Sequence, residues 1–160
     1  MKIVCLGDSF TEGFLVKKTY VDYLKDRGYE IVNLGVNGDT TSLIKQRFRG
    51  EKSDVLIIFA GTNDFYQNIP AEEAFENIKE ILNKSKAKIN ILVIPPLIEE
   101  EDAYPVYKLI NNSINYYGQI LKTLNMPVVD GREIEPFYID GIHMREEFHQ
   151  KLAEKIRELL

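Results

Sequence analysis

Short runs of branched apolar residues alternate along the chain with longer stretches in which apolar positions recur every three or four residues. The runs are Lys2 to Leu6, Glu30 to Leu34, Asp54 to Ala60, Ile89 to Ile94 and Pro127 to Val129. Continuous apolar character over so few residues predicts strands buried on both faces of a parallel sheet. Helices are predicted where the spacing makes one apolar face: Ala71, Ala74, Phe75, Ile78, Ile81 and Leu82; Tyr107, Ile110, Ile114, Tyr117, Leu121 and Leu124; and Phe148, Leu152, Ile156 and Leu159. Two shorter helices follow from Tyr20, Val21 and Leu24, closed by Gly28, and from Ile44 with Phe48. A strand followed by a helix, repeated along the whole chain, predicts an α/β fold with helices on both faces of a parallel sheet. In such a sheet ligands bind outside the carboxyl ends of the strands, so the chemistry belongs in the loops that follow them.

The length of 160 residues suits a single domain spanning 1–160, and no repeat, Gly/Ser linker or low-complexity tract divides it. With 44% hydrophobic and 28% charged residues the composition is that of a globular protein and excludes disorder. A formal charge of −5 without a basic cluster argues against nucleic acid or an anionic membrane as partner. One cysteine, Cys5, and two histidines, His143 and His149, cannot build a disulfide framework or a Cys/His metal site, so no metal is expected. The longest apolar run, Ile91 to Ile98, is broken by Pro95 and Pro96 and falls far short of the roughly 18 residues that span a bilayer. Ile3 to Leu6 is likewise too short for the apolar part of a secretory signal, and the protein is expected to be cytoplasmic, without stable membrane insertion. The charge run Glu99 to Asp102 reads as a solvated loop, although its place after a strand also lets it rim a site.

Four post-strand segments carry polar residues of interest. Gly7-Asp8-Ser9-Phe10-Thr11 follows the first strand, and Ser9 taken singly reads equally well as a helix N-cap. Asn33-Leu34-Gly35-Val36-Asn37-Gly38-Asp39-Thr40 follows the second, with glycines that a tight turn alone would explain. Gly61-Thr62-Asn63-Asp64 follows the third, where Asn63 also suits an Asx-turn. Asp140-Gly141-Ile142-His143 sets an acid and an imidazole three residues apart just before the last helix, and a plain β-turn accounts for that too. What changes the picture is their common edge of the sheet and their joint sufficiency for acyl transfer. A serine hydroxyl is a poor nucleophile unless a base lies within hydrogen-bond reach, which casts Ser9 as nucleophile, His143 as base and Asp140 as the group that fixes the imidazole. The oxyanion that forms needs fixed donors, for which the backbone N–H groups of Ser9 and Gly35 and the side-chain amide of Asn63 are the candidates.

These four segments, in this order and spacing, resemble the blocks of the GDSL-type SGNH hydrolases along nearly the whole chain. The resemblance implies a three-layer α/β/α flavodoxin-like fold with a five-stranded parallel sheet, a Ser, Gly, Asn and His site, no cofactor, and hydrolysis of carboxylic esters or thioesters. Ser9 is followed by Phe10-Thr11, so the G-x-S-x-G elbow of the α/β-hydrolases is absent. Met144 stands where many members of that family have a proline after the histidine. Asp8 is read as organising the nucleophile turn, His149 as a packing or surface residue, and Cys5 as an inert small hydrophobe. Small-molecule esters are the expected substrates: short-chain acyl or aryl esters and O-acetylated sugars first, with acyl thioesters and lysophospholipids as alternatives on the same site. Phe10, Phe14, Phe65, Tyr66, Ile142 and Met144 flank the motifs as candidate pocket walls. The rival of another class is a non-catalytic flavodoxin-like module that holds a phosphate or flavin phosphate at a helix N-terminus, a reading that gives Asn63, Asp140 and His143 no role.

Overall fold

In the computed structural model, which describes residues 1–160, the five apolar runs form strands that lie side by side in one parallel sheet. They are β1 (Lys2–Gly7), β2 (Glu30–Gly35), β3 (Val55–Phe59), β4 (Ile89–Ile94) and β5 (Val128–Asp130), in the spatial order β2-β1-β3-β4-β5. This is the flavodoxin-like order: the chain steps from β1 out to the edge and then crosses back to β3, which opens a crevice between the carboxyl ends of β1 and β3. Gly7 is the residue in register with both Gly35 of β2 and Phe59 of β3, so three loops leave the sheet at one level.

The helices are α1 (Ser9–Glu12), α2 (Tyr20–Lys25), α3 (Thr41–Arg47), α4 (Thr62–Tyr66), α5 (Ala71–Lys84), α6 (Val106–Lys122) and α7 (Glu146–Arg157). Successive strand side chains point to opposite faces, and this divides the core in two. Val4, Leu6, Leu56, Ile58, Leu92 and Ile94 pack against α3, α5 and α6 through Ile44, Ile78, Ile81, Ile114 and Leu121. Ile3, Cys5, Val55, Ile57, Ile91 and Val93 pack against α2 and α7 through Val21, Leu24, Phe148, Leu152 and Ile156. The three-layer α/β/α arrangement is therefore present. No helix is long and apolar enough to cross a membrane.

Two expectations need correction. Strand β2 is not buried throughout: it lies at the sheet edge, paired only with β1, and its residues are half-buried or exposed. Helices α1 and α4 stand where the apolar pattern predicts none, because four or five residues are too few to display a 3.6-residue period, and the cap of α1 is Asp8 rather than Ser9. Local chemistry makes α1 instead: the Asp8 carboxylate accepts the Phe10 N–H at 3.1 Å and caps it. Helix α2 begins in a similar way, with the Asp22 carboxylate accepting the Thr19 N–H at 2.8 Å and the Thr19 hydroxyl accepting the Val21 N–H.

Candidate active site

Strand β1 delivers the chain to the carboxyl edge at Gly7, and the Asp8 cap turns it at once into α1, whose first residue is Ser9. A first-turn N–H has no acceptor within its own helix, so the Ser9 amide points out of the turn. The turn is tied down from the side by Asn33, whose Nδ2 donates to the Thr11 carbonyl at 2.8 Å. Gly35 is a glycine because a Cβ there would run into the backbone of Thr11 and Glu12.

The imidazole arrives from the other end of the sequence. Tyr138 and Met144 form an antiparallel bridge, with Ile139 N–H donating to the His143 carbonyl and Arg145 N–H to the Phe137 carbonyl, each at 2.8 Å. Those bonds leave the amide of residue 144 unused, and Met144 contributes a fully buried side chain instead. The small hairpin is fastened to the loop after β4 twice, by the Tyr138 hydroxyl on the Leu97 carbonyl and by Glu99 N–H on the Gly141 carbonyl, both at 2.8 Å. At its tip, Asp140 Oδ1 accepts the N–H groups of Ile142 (3.0 Å) and His143 (2.7 Å), while Oδ2 lies 2.7 Å from His143 Nδ1. His143 Nε2 lies 3.0 Å from Ser9 Oγ, a contact between residues 134 apart in sequence. The Phe14 ring, 4.9 Å from the imidazole between centroids, and the Phe10 ring, at 5.6 Å, flank it.

Burial acts to raise the pKa of Asp140, but the bonds from the His143 ring and from the two N–H groups outweigh it and hold the carboxyl below its ordinary value. An ionised carboxylate only accepts, so Nδ1 of His143 carries the proton and the lone pair on Nε2 faces the Ser9 hydroxyl. Chemically, this arrangement is able to take the proton of Ser9 as its oxygen attacks.

Of the three expected oxyanion donors, the structure turns one, Gly35, away from Ser9 and leaves the Ser9 amide free. Val36 N–H donates to the Gly7 carbonyl across the ladder, so the N–H of its neighbour Gly35 faces the outer edge of the sheet, where Asn33 Oδ1 accepts it at 2.8 Å. The Gly35 amide is thus neither free nor turned toward Ser9. Three residues on, Asp39 N–H closes a turn onto the Val36 carbonyl, with Gly38 at φ +81°, and the Gly38 N–H has no acceptor. Asn63, in α4, donates from Nδ2 to the Asp39 carbonyl at 3.0 Å and lies 3.5 Å from Asp8 Oδ2, which sets its amide between the Ser9 turn and the Gly38 turn.

A layer of carboxylates lies behind these donors; the sequence reading gave Asp8 the nucleophile turn to organise but gave Asp39 and Asp64 no role. Burial pushes Asp8 up to about 7, opposed by the Phe10 N–H bond and reinforced by the nearby charges of Asp64 and Asp39. Burial also raises Asp64, although the Thr41 hydroxyl (2.6 Å) and N–H (2.9 Å) both donate to it; Asn77 in turn donates to the Thr41 hydroxyl at 3.0 Å. Arg47 bridges Asp39 Oδ2 (2.6 Å) and the Gly7 carbonyl (2.8 Å), joining the end of α3 to the end of β1. A threonine at the start of one helix and an arginine at its end carry no motif of their own, and only the fold brings them to this layer.

His149 is a packing residue. Fully buried on α7, it stacks with Tyr20 at 6.4 Å and accepts the Tyr20 N–H on Nδ1 at 3.3 Å, and burial pushes its pKa down to about 4. It is neutral and occupied, which leaves His143 as the imidazole within reach of Ser9. Phe10 and Met144 are buried in the core rather than set as pocket walls, Phe10 against Phe59 at 4.9 Å, whereas Phe65, itself buried, edges a cavity of about 370 Å³ between Tyr66 and α6. Phe14, Tyr66 and Ile142 remain partly open at the mouth. Nor does the start of α1 offer itself to a phosphate, since the Asp8 carboxylate already occupies it and an anion there would meet that acid.

Residues 5–151 match the GDSL-like lipase/acylhydrolase family. No match was found among curated protein sequences. Among solved structures, a lipolytic protein of the G-D-S-L family from Veillonella parvula DSM 2008 superposes with a TM-score of 0.81 at 16% identity, covering 100% of this chain and 98% of that one. The M. smegmatis aryl esterase gives 0.78 at 18% identity, and Est24, a carbohydrate acetylesterase from Sinorhizobium meliloti, gives 0.76 at 18%; each alignment covers 99% of both chains. With the family match extending over most of its length and the same fold in these neighbours, the chain belongs to the GDSL-like lipase/acylhydrolase family and is a carboxylic ester hydrolase.

Proposed function

We propose that the protein hydrolyses small carboxylic esters, short-chain acyl or aryl, by way of an acyl-enzyme on Ser9. The observation that carries this reading is the unbroken line from Asp140 through His143 to Ser9, with contacts of 2.7 and 3.0 Å. Ser9 Oγ attacks the ester carbonyl while His143 Nε2 takes its proton; the tetrahedral intermediate collapses as the imidazolium returns that proton to the departing alcohol; water then repeats the sequence and frees the acid. Asp140 keeps Nδ1 protonated and balances the imidazolium. The oxyanion is received by the N–H of Ser9, the N–H of Gly38 in place of Gly35, and one hydrogen of the Asn63 amide. That hydrogen is the one directed at Asp8 Oδ2, a long contact of 3.5 Å that the oxyanion replaces, while the other, bonded to the Asp39 carbonyl at 3.0 Å, holds the group in place. A preference for short acyl chains fits a nucleophile set among short loops, and the aryl esterase and carbohydrate acetylesterase named above share the fold. Residues 1–160 are read as one hydrolase domain because all five strands join one sheet. A cytoplasmic setting agrees with Cys5, a free and buried thiol.

The test is hydrolysis of p-nitrophenyl acetate together with labelling by a fluorophosphonate. Wild type should turn over the ester and be labelled on Ser9, whereas Ser9→Ala should lose roughly 10⁴-fold or more in kcat with its unfolding transition unchanged. Near wild-type turnover by a folded Ser9→Ala protein would remove the acyl-enzyme from the mechanism.

A further inference from the structure

A cavity of about 240 Å³ lies against the catalytic hairpin, walled by the Asp140–Ile142 turn, by Tyr66 at the end of α4, by Tyr107 in α6, and by Glu99 and Glu101 from the loop after β4. Its position relates it to one half of an ester. In the mechanism proposed above, the acyl carbon is bonded to Ser9 and His143 hands a proton to the departing oxygen, so the alcohol half lies on the His143 side of the nucleophile. The turn that walls the cavity is the segment immediately before His143, and Glu99 N–H on the Gly141 carbonyl at 2.8 Å fixes that wall to the acidic loop.

The lining is chemically one-sided. Neither Glu99 nor Glu101 forms an ion pair with any lysine, arginine or histidine of the chain, and no basic residue lines the cavity. Asp140 adds a third carboxylate, ionised and already engaged with His143. The remaining side chains include two tyrosine rings, whose faces attract a cation, more strongly where water is displaced. Burial, with added repulsion from Tyr107 and Asp140, pushes the Tyr66 hydroxyl up to about 12, so it stays a neutral phenol. An anionic alcohol, or a thiol carried on a phosphorylated group, would meet unpaired carboxylates here. An uncharged polyol would find hydrogen-bond acceptors but would gain nothing from their charge.

Resting on the ester-hydrolase reading, we propose that this cavity receives the alcohol half of the substrate and selects one bearing a positive charge, an ammonium or quaternary ammonium group set between Tyr66 and Tyr107 and faced by Glu99 and Glu101. The run Glu99 to Asp102, which reads in the sequence as a solvated loop able to rim a site, then supplies the charge of a specificity pocket. Mildly acidic composition helps draw such a substrate in, and the pocket decides its orientation.

The experiment compares acetylcholine with 3,3-dimethylbutyl acetate, its uncharged isostere, and uses p-nitrophenyl acetate as a reference that asks nothing of the pocket's charge. At low ionic strength kcat/KM should favour acetylcholine by on the order of tenfold, and the preference should shrink in about 0.5 M NaCl as the carboxylates are screened. The double variant Glu99→Gln, Glu101→Gln should lose most of the preference, with kcat/KM for acetylcholine falling to within about twofold of that for 3,3-dimethylbutyl acetate. Equal rates for the charged and uncharged esters, a preference that survives the double substitution, or a higher rate on an acetylated neutral sugar than on acetylcholine would each overturn the proposal. Turnover of p-nitrophenyl acetate without turnover of either alkyl ester would overturn it too and leave the hydrolase reading standing. A folded protein inert toward every ester would bring down both.

Discussion

Substituting Asp8 by asparagine separates stability from catalysis in a way that the geometry makes quantitative. An ordinary aspartate ionises near 3.9, whereas burial, with Asp64 and Asp39 nearby, lifts Asp8 to about 7 in the folded protein. The folded state therefore keeps its proton over a range in which the unfolded chain has already lost it. Below about pH 4 both states are protonated and nothing is lost; from there to about pH 7 the folded state becomes progressively less stable, and above that the penalty is complete at about 4 kcal/mol, taking 1.36 kcal/mol per pH unit. Asparagine cannot ionise, and its carbonyl can still accept the Phe10 N–H that Asp8 accepts at 3.1 Å. The value of about 7 already includes the help that the Phe10 N–H gives the ionised form, so Asp8→Asn should be about 4 kcal/mol more stable than wild type at pH 8, a rise in Tm of about 8 to 16 °C for a chain of this size. At pH 4 the two proteins should melt within a few degrees of each other. Activity should move the opposite way, because the new amide N–H₂ would face Asn63 Nδ2 where Asp8 Oδ2 now lies 3.5 Å away, donor against donor. Calorimetry of both proteins from pH 4 to 8, beside kcat on p-nitrophenyl acetate, measures both effects. A Tm difference that does not grow with pH would refute the assignment of a buried, proton-retaining carboxyl at this position.

Asn63→Ala should lower kcat by about 10²- to 10³-fold with KM little changed, because the oxyanion bond forms chiefly in the transition state; a rise in KM alone would make Asn63 a binding or turn residue. His149→Leu should keep kcat within about threefold of wild type while losing about 1–3 kcal/mol of stability, as the Tyr20 N–H is left without its acceptor. A folded His149→Leu protein without activity would show that the wrong histidine has been named as base.

The fold was legible because both periods are strong: five strands and five of the seven helices announce themselves by apolar spacing. Helices α1 and α4 hide because each is about one turn long and is made by a cap and a glycine turn rather than by a stripe. At the candidate site, Ser9, Asp140 and His143 could be named because the chain has only two histidines, an acid precedes one of them by three residues, and the resemblance of the four segments singles out Ser9 among the hydroxyls of that edge. Gly35 and Gly38 could not be told apart in the same manner. Both are glycines in one loop, and only the ladder bond from Val36 to Gly7 shows which amide faces away from Ser9. Phe10 misled for a related reason: adjacency to a motif says nothing about direction, and the short helix that begins at Ser9 turns its ring into the core. The Thr41, Asp64 and Asn77 chain joins three helices and leaves no trace in any local pattern.

Asn33 has a consequence for the molecule's company as well as for its chemistry. An edge strand exposes a row of unpaired backbone groups, and a second chain can extend the sheet by pairing with them. The Asn33 side chain folds back on its own strand and occupies the Gly35 N–H, while its amide reaches over to Thr11. The last rung of the open edge is therefore filled at the end where the crevice lies. A neighbouring molecule that tried to add a strand there would have to displace this internal clasp, so association along the edge is discouraged where it would crowd the mouth of the site.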